Sequence, residues 1–360
     1  MHSAFVMVLG MLLRADPEPP TALPQWVKAL TAHAAVDIYA AHNFNTPADH
    51  ASFLPGTGTS AKRADEVSLN LVSLEVALDP QPVGFHVWLG AGTAIEVLHA
   101  GEPLGVNVGP EVWKYVQQAT VAARAPVGRG LLIEAGIYPS HIGLETLSSQ
   151  ANWNYTRSWM GEFSPYYETG VKATYSFTDH FAAQLHLLNG WQLISDNNHS
   201  AAVGTQLAWT DERWSVALAN FAGPELANDD AHWRFFADLV LQLKVAQWLK
   251  LAVCGDVGLQ QLPGAQSAIW HTVAGYVRFQ ISSRLAAALR AEYFSDLQDV
   301  ISGARQTLIE GTATLELTPW PYLTLKLEGR YDHSTSDVFS SSRQPRNEQL
   351  LVLLGAVAAY

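Results

Sequence analysis

The connections in this chain are sorted by length. Sixteen segments of about ten residues carry period-2 patterning, at 36–45, 66–78, 84–94, 115–125, 130–138, 167–177, 181–191, 201–209, 214–222, 233–245, 248–260, 268–281, 284–294, 306–318, 322–332 and 348–360. Short breaks such as 79–83, 126–129, 178–180, 246–247 and 282–283 follow every second segment. Long breaks such as 46–65, 95–114, 139–166, 223–232 and 333–347 take the alternate positions. A soluble sandwich has no reason to sort its loops this way. A transmembrane β-barrel does, because its strands meet in short periplasmic turns at one rim and long extracellular loops at the other. The expected fold is all-β, an antiparallel up-and-down barrel of about sixteen strands with both termini at the periplasmic rim. Fourteen or eighteen strands stay open if 115–125 and 130–138 are misread.

The stretch Glu168–Trp191 shows the unit. Val171, Ala173, Tyr175 and Phe177 share one face, and Gly170, Lys172, Thr174 and Ser176 the other. After the turn Thr178-Asp179-His180, Phe181, Ala183, Leu185 and Leu187 alternate with Ala182, Gln184 and His186. In 66–78 the apolar face switches near Leu71, which either a β-bulge or a displaced boundary explains.

Composition agrees with strands in lipid. The chain is 48% hydrophobic with only 15% charged residues, and its mean hydropathy is +0.05. The longest uncharged apolar runs, Ala4–Leu13 and Leu350–Tyr360, fall short of the ~18–20 residues a spanning helix needs. A net charge of −12 disfavours nucleic acid as a partner. Cys254 stands alone, so no internal disulfide or thiolate metal cluster forms. Phe177, Phe181, Trp209, Trp214, Trp248, Trp320 and Tyr322 flank short breaks, and Trp191 lies near a long one. Rings with a polar tip suit the headgroup layer, so these residues read as an aromatic girdle; ordinary core aromatics of a soluble β-protein are the plainer alternative.

The polar face carries charges of both signs: Arg124, Glu134, Lys172, Arg234, Asp238, Lys244, Lys250, Asp256, Arg278, Arg290, Glu292, Glu310, Glu316, Lys326, Glu328 and Arg330. In a dry interior each would be costly unless paired. A barrel of this size is too wide for its wall side chains to fill, so a water-filled lumen is expected. The acidic excess sits in long breaks, at Glu96, Glu102, Glu225, Asp229 and Asp230 among others. There it is either merely solvated or binds divalent cations that bridge to anionic headgroups such as those of lipopolysaccharide.

The break 139–166 is the longest, rich in aromatics and amides and poor in charge. Such a loop suits the barrel interior, packing Trp153, Tyr155 and Trp159 on the wall and offering Asn152, Asn154, Arg157, Glu145 and Glu162 to the pore. An outer cap is the alternative. Arg278, Arg290, Lys326 and Arg330 would then face Glu145 and Glu162 across the constriction, making a transverse field. Residues 1–35 read as non-barrel: Ala4–Leu13 as a signal remnant without a basic n-region, Pro17–Pro24 as extended, and Trp26–Ala35 as a short helix.

Val36–Pro47, Asp65–Phe85, Asn152–Tyr175 and Asn189–Asn198 resemble the OmpL-like β-barrel porin-2 family of Gram-negative bacteria, over a match from about residue 36 to the end. The resemblance implies an outer-membrane porin that inserts through the barrel-assembly machinery, with Tyr360 standing where such barrels usually end in Phe. It transfers no substrate and no catalytic residue. The sequence shows no G-x-S-x-G, H-E-x-x-H or P-loop motif, and no i, i+2 histidine pair that would mark a metal site. No enzyme activity, cofactor or metal is therefore expected. Passive diffusion of small hydrophilic solutes or ions is the first reading. A loop-closed structural or adhesive barrel is the second, and a soluble sandwich the third. Lipid-facing small residues such as Ala173, Ala183, Ala291, Gly311 and Ala313 leave room for a homotrimer.

Overall fold

A computed structural model describes residues 25–102, 113–264 and 266–360. The expected signal remnant and Pro17–Pro24 lie outside the described residues. A four-residue turn, α1 (Gln25–Lys28), precedes β1 (Leu30–Asn43), β2 (Glu66–Leu78) and β3 (Val83–Ala91). A short helix α2 (Thr93–Leu98) leads on to β4 (Val116–Ala125) and β5 (Leu131–Pro139). One helical turn, α3 (Trp159–Glu162), precedes β6 (Tyr167–Ser176), β7 (Phe181–Leu188), β8 (Ala202–Thr210), β9 (Trp214–Pro224) and β10 (Trp233–Ala246). The wall continues through β11 (Leu249–Gln260), β12 (Ala268–Gln280), β13 (Leu285–Asp296), β14 (Gln306–Trp320), β15 (Leu323–Ser334) and β16 (Glu348–Ala359).

Each strand pairs antiparallel with its sequence neighbours, and β1 closes on β16 with Asp37 opposite Val357. The result is a closed sixteen-stranded barrel. Closure leaves no sheet edge, so every strand's main-chain groups are met within the wall, as a hydrocarbon surround demands. Among the described residues no helix is long and apolar enough to cross a membrane.

The first strand begins at Leu30 rather than at residue 36. Thr31 opposes Ala77 and Ala35 opposes Ser73. β2 runs its full length to Leu78 and offers main-chain partners there, so pairing wins over the expected helix Trp26–Ala35, which shrinks to α1. The irregularity near Leu71 is a bulge. Leu71 faces Asp37 and Leu69 faces Ile38, which leaves Asn70 unopposed. Its amide then donates to Asp37 Oδ2 at 2.9 Å.

The period-2 pattern sorts apolar residues outward and polar ones inward. On β7, Leu185 and Leu187 lie exposed on the outer face while His186 between them is buried. The same holds for Val253 and Val257 against Cys254 and Asp256 on β11. A second apolar cluster lies inside the barrel, towards the long-loop rim. It joins Tyr39, Phe53, Tyr138, Tyr155, Trp159, Trp191, Phe221, Phe236, Trp270, Phe294 and Phe339. Wall strands and long loops both contribute to it, so the upper lumen is packed like a protein core.

Candidate pore lumen

Residues 140–166 cross the interior, and the inner wall holds them by their backbone. Glu328 on β15 accepts the Tyr155 N–H at 2.5 Å, the Thr156 N–H at 3.0 Å and the Thr156 hydroxyl at 2.5 Å. Glu292 on β13 accepts the Trp159 N–H at 2.6 Å and the Met160 N–H at 2.5 Å. Asp238 on β10 accepts the Gly143 N–H at 3.0 Å. A short segment without its own strand partners has free main-chain donors, and wall carboxylates satisfy them with charge-assisted bonds. Side chains add to this. The Tyr155 hydroxyl donates to Asp37 at 2.6 Å, and the Trp159 indole N–H to Asp332 at 2.8 Å. Asn154 donates to Thr314 at 2.8 Å. Gly355 makes the close approach possible: a Cβ there would lie 2.4 Å from the Tyr155 ring.

The basic side chains of β13 and β15 are buried under this segment. Arg290 reaches Glu310 at 3.0 Å, Glu145 at 2.8 Å and the Thr156 carbonyl at 2.6 Å. Arg330 pairs with Asp332 at 2.9 Å and lies over the rings of Phe53 (4.8 Å) and Trp159 (5.0 Å). Lys326 donates to the carbonyls of Ser149 and Asn152 and lies 3.4 Å from Glu316, which Arg278 also pairs at 2.6 Å. Lys172 pairs with Glu134 at 2.8 Å. Arg234 donates to Gln260 at 2.9 Å, with Trp191 and Trp270 over its guanidinium at 5.3 and 5.6 Å.

Three expectations change. The transverse field across water gives way to direct contact, since Arg290 touches Glu145 while Glu162 turns away. Glu162 instead accepts the Thr59 N–H and hydroxyl, each at 3.0 Å, from the loop between β1 and β2. Burial raises its pKa above the ordinary carboxylate value, although Arg157 and Thr59 pull it down. Arg157 does not line a pore. It is buried and folds back on the carbonyls of Thr146, Leu147 and Tyr155. The charged faces of β13 and β15 are covered by protein rather than water. Wall side chains alone do not fill a barrel of this width, but the long breaks fold in and fill the space as well. Once dry, the charges require contact partners.

Cavities remain on both sides of the segment. One of about 400 Å³ opens towards the short-turn rim, among His33, Asp37, Glu75, Trp88 and Tyr360. A smaller one of about 180 Å³ lies between Trp153 and the pair Lys244 and Lys250. Another of about 480 Å³ opens at the long-loop rim, among Glu162, Trp191, Glu225 and Arg234. Burial raises the Glu225 pKa to about 7, with Arg234 opposing the shift. Alongside the segment, Glu145, Ser158, Met160 and Tyr276 border a gap of about 10 Å³, room for about one water.

At the short-turn rim the outer surface carries stacked rings. Phe177 lies 5.4 Å from Phe181, Trp320 6.5 Å from Tyr322, and Tyr322 5.0 Å from Tyr360. Trp209, Trp214 and Trp248 are exposed there too. Trp191 departs from the girdle. It is buried, with its ring 5.1 Å from Phe221 and 4.7 Å from Phe236. It follows the end of β7, where alternation no longer fixes direction, and it folds inward onto Arg234. Sequence reasoning also missed the buried cluster His141, Glu168 and His186, whose donor atoms all lie within 4.8 Å of one another. Its members are far apart along the chain, and no local spacing announces them.

Residues 29–360 match the model of a family described as beta-barrel porin-2, OmpL-like. No curated protein matches in sequence. Among solved structures, the anion-selective porin from Comamonas acidovorans superposes with a TM-score of 0.61 at 11% identity, covering 92% of this chain and 99% of that one. The outer membrane channel DcaP of Acinetobacter baumannii gives 0.60 at 10% identity, over 92% and 97%. Pseudomonas putida OprB gives 0.57 at 10% identity, over 93% and 95%. At such identities the likeness is one of fold.

Proposed function

This chain belongs to the OmpL-like beta-barrel porin-2 family, porins of the Gram-negative outer membrane, and from that premise we propose that it passes small hydrophilic solutes or ions by passive diffusion. The observation that carries the reading is the pair of vestibules, about 400 and 480 Å³, one towards each rim of the barrel. The inner segment between them is the narrowing element, so sieving along it sets the size limit. The reading places the short turns in the periplasm and the long loops outside the cell. Exposed Lys244 and Lys250, opposed in register, offer a local basic site at the short-turn rim, while Asp37 and Glu75 line the larger vestibule there.

A second reading keeps the barrel closed, as a structural or adhesive surface protein. It draws on the buried ion pairs of Arg290 and Arg330 and on the one-water gap. Single-channel recording in a planar bilayer separates the two. Steps of constant size with a reversal potential in a salt gradient support diffusion; repeated insertion without steps leaves the closed barrel. Tyr360 is assigned as the assembly signal, and Tyr360→Ala should lower outer-membrane yield. The small-residue surface of Gly275, Ala291, Gly311 and Gly329 on the outer wall is assigned to a homotrimer contact, which the mass of the detergent-extracted protein checks.

A further inference from the structure

We propose that His141, Glu168 and His186 bind one divalent transition-metal ion of the zinc class, tying the root of the inner segment to the wall. The three come from different elements: His141 from the start of the segment, Glu168 from β6 and His186 from β7. Their side chains are 1%, 0% and 0% exposed. One ligand atom from each lies within 4.8 Å of the others.

The outer nitrogens are already committed. His141 Nε2–H donates to the Asn220 carbonyl at 2.9 Å, and His186 Nε2 meets Gln184 Oε1 at 3.0 Å. A histidine ligand is held in this way, with one ring nitrogen donating to a fixed acceptor and the other presenting its lone pair inward. Both Nδ1 atoms turn towards Glu168, at 2.8 Å and 3.4 Å. Glu168 Oε1 also takes the Ser140 hydroxyl at 2.9 Å, but Oε2 is buried without a hydrogen-bond partner. The Tyr138 hydroxyl lies 3.5 Å from His186 Nδ1. With the ring protons on both Nε2 atoms, two imidazole lone pairs and a carboxylate face one another. In the metal-free chain a proton on each Nδ1 bridges these contacts, the His186–Oε2 one only at 3.4 Å; a metal ion replaces both protons and meets all three ligand atoms.

The ligand chemistry narrows the ion. Two imidazoles and one carboxylate are a zinc-type set, while calcium and magnesium favour oxygen alone. Zinc–nitrogen bonds of about 2.0–2.1 Å require the donors to draw closer. His186 has to swing from its stack on His141, where the rings lie 4.1 Å apart. Gly204 leaves room for the His141 ring, since a Cβ there would lie 2.6 Å from its Cε1. Lys172, the nearby cation over the Tyr138 ring, is neutralised by Glu134.

The test refolds the full chain in detergent with Zn(II) or Co(II), then removes free ion by gel filtration. One retained equivalent per chain is expected, with visible Co(II) bands of a low-coordinate nitrogen and oxygen site. His186→Gln and Glu168→Gln should lower affinity at least tenfold, and His199→Gln, at an exposed histidine, should leave it unchanged. Glu168→Gln is the variant more exposed to misfolding, so His186→Gln and the wild-type Co(II) spectrum carry the decision. No retained ion in the wild type, or retention lost in His199→Gln but kept in His186→Gln, overturns the site. Channel activity is not the readout, so this test and that of the pore fail separately.

Discussion

Replacing both anchoring carboxylates, Glu292→Ala with Glu328→Ala, should free the inner segment. Glu328 holds three donors of the segment and Glu292 two. Such bonds are not additive, and truncation strands the buried N–H groups. Removing one partner of a buried charged contact costs about 3–5 kcal/mol. At about 3 kcal/mol per carboxylate, and about 1.4 kcal/mol per factor of ten, the docked-to-released ratio falls roughly a hundredfold for each, and about ten-thousandfold together if the sites act independently. The chain carries its own reporter. Cys254, the sole cysteine, is fully buried among Met160, Val240 and Tyr276 beneath the segment. A water-soluble maleimide should leave it unlabelled in the folded wild type. In the folded double variant, labelling should be at least a hundredfold faster, and single-channel conductance should rise. A double variant that stays folded, keeps Cys254 protected and conducts as before would refute the anchoring argument.

Three further outcomes follow from single groups. Glu225, with a pKa of about 7 in the folded chain, stays protonated there while the unfolded chain ionises. Its contribution is therefore greatest below about pH 4.5 and is lost by about pH 7, a span of up to about 3 kcal/mol; denaturation of Glu225→Gln across this range should show a flatter profile. His99 runs the other way. Burial holds its pKa at about 4, and both ring nitrogens lack partners beside the stacked Tyr167 ring. Its contribution is intact above about pH 6.5 and is lost as pH falls towards 4, so His99→Phe should melt with less acid sensitivity. Gly355→Val should drive the Tyr155 ring off the wall and cost about 1–3 kcal/mol, whereas Gly255→Ala, whose Cβ would meet only the Thr272 carbonyl oxygen at 3.8 Å, should leave the melting temperature within error.

The barrel was legible because period-2 patterning and sorted connections repeat through the whole chain, and both are local signals. Leu185 and Leu187 against His186 is enough to orient a strand. The aromatic, charge-poor character of 139–166 set that segment apart, but not what its polar groups would do. Charge prefers water, which is why Arg157 and Glu145 suggest a pore face; in the structure Arg157 turns back on carbonyls of its own loop, and Glu145 meets Arg290, remote in sequence. Trp191 sits just past a strand end, where alternation says nothing of direction. The extension of β1 to Leu30 depended on the free flank of β2, a pairing no single segment reveals. His141, Glu168 and His186 meet only once the wall has closed.

The wall grips the inner segment chiefly at main-chain N–H groups, at Gly143, Tyr155, Thr156, Trp159 and Met160. That form of recognition is blind to side-chain identity. Side chains outside the anchoring set Glu145, Asn154, Tyr155 and Trp159 are thus free to diverge while the segment keeps its place, except that proline has no N–H to offer and Gly143 holds a φ of 89° that favours glycine. Selectivity and anchorage are separately evolvable in this barrel, one written in the segment's side chains and the other in the acidic residues of the wall.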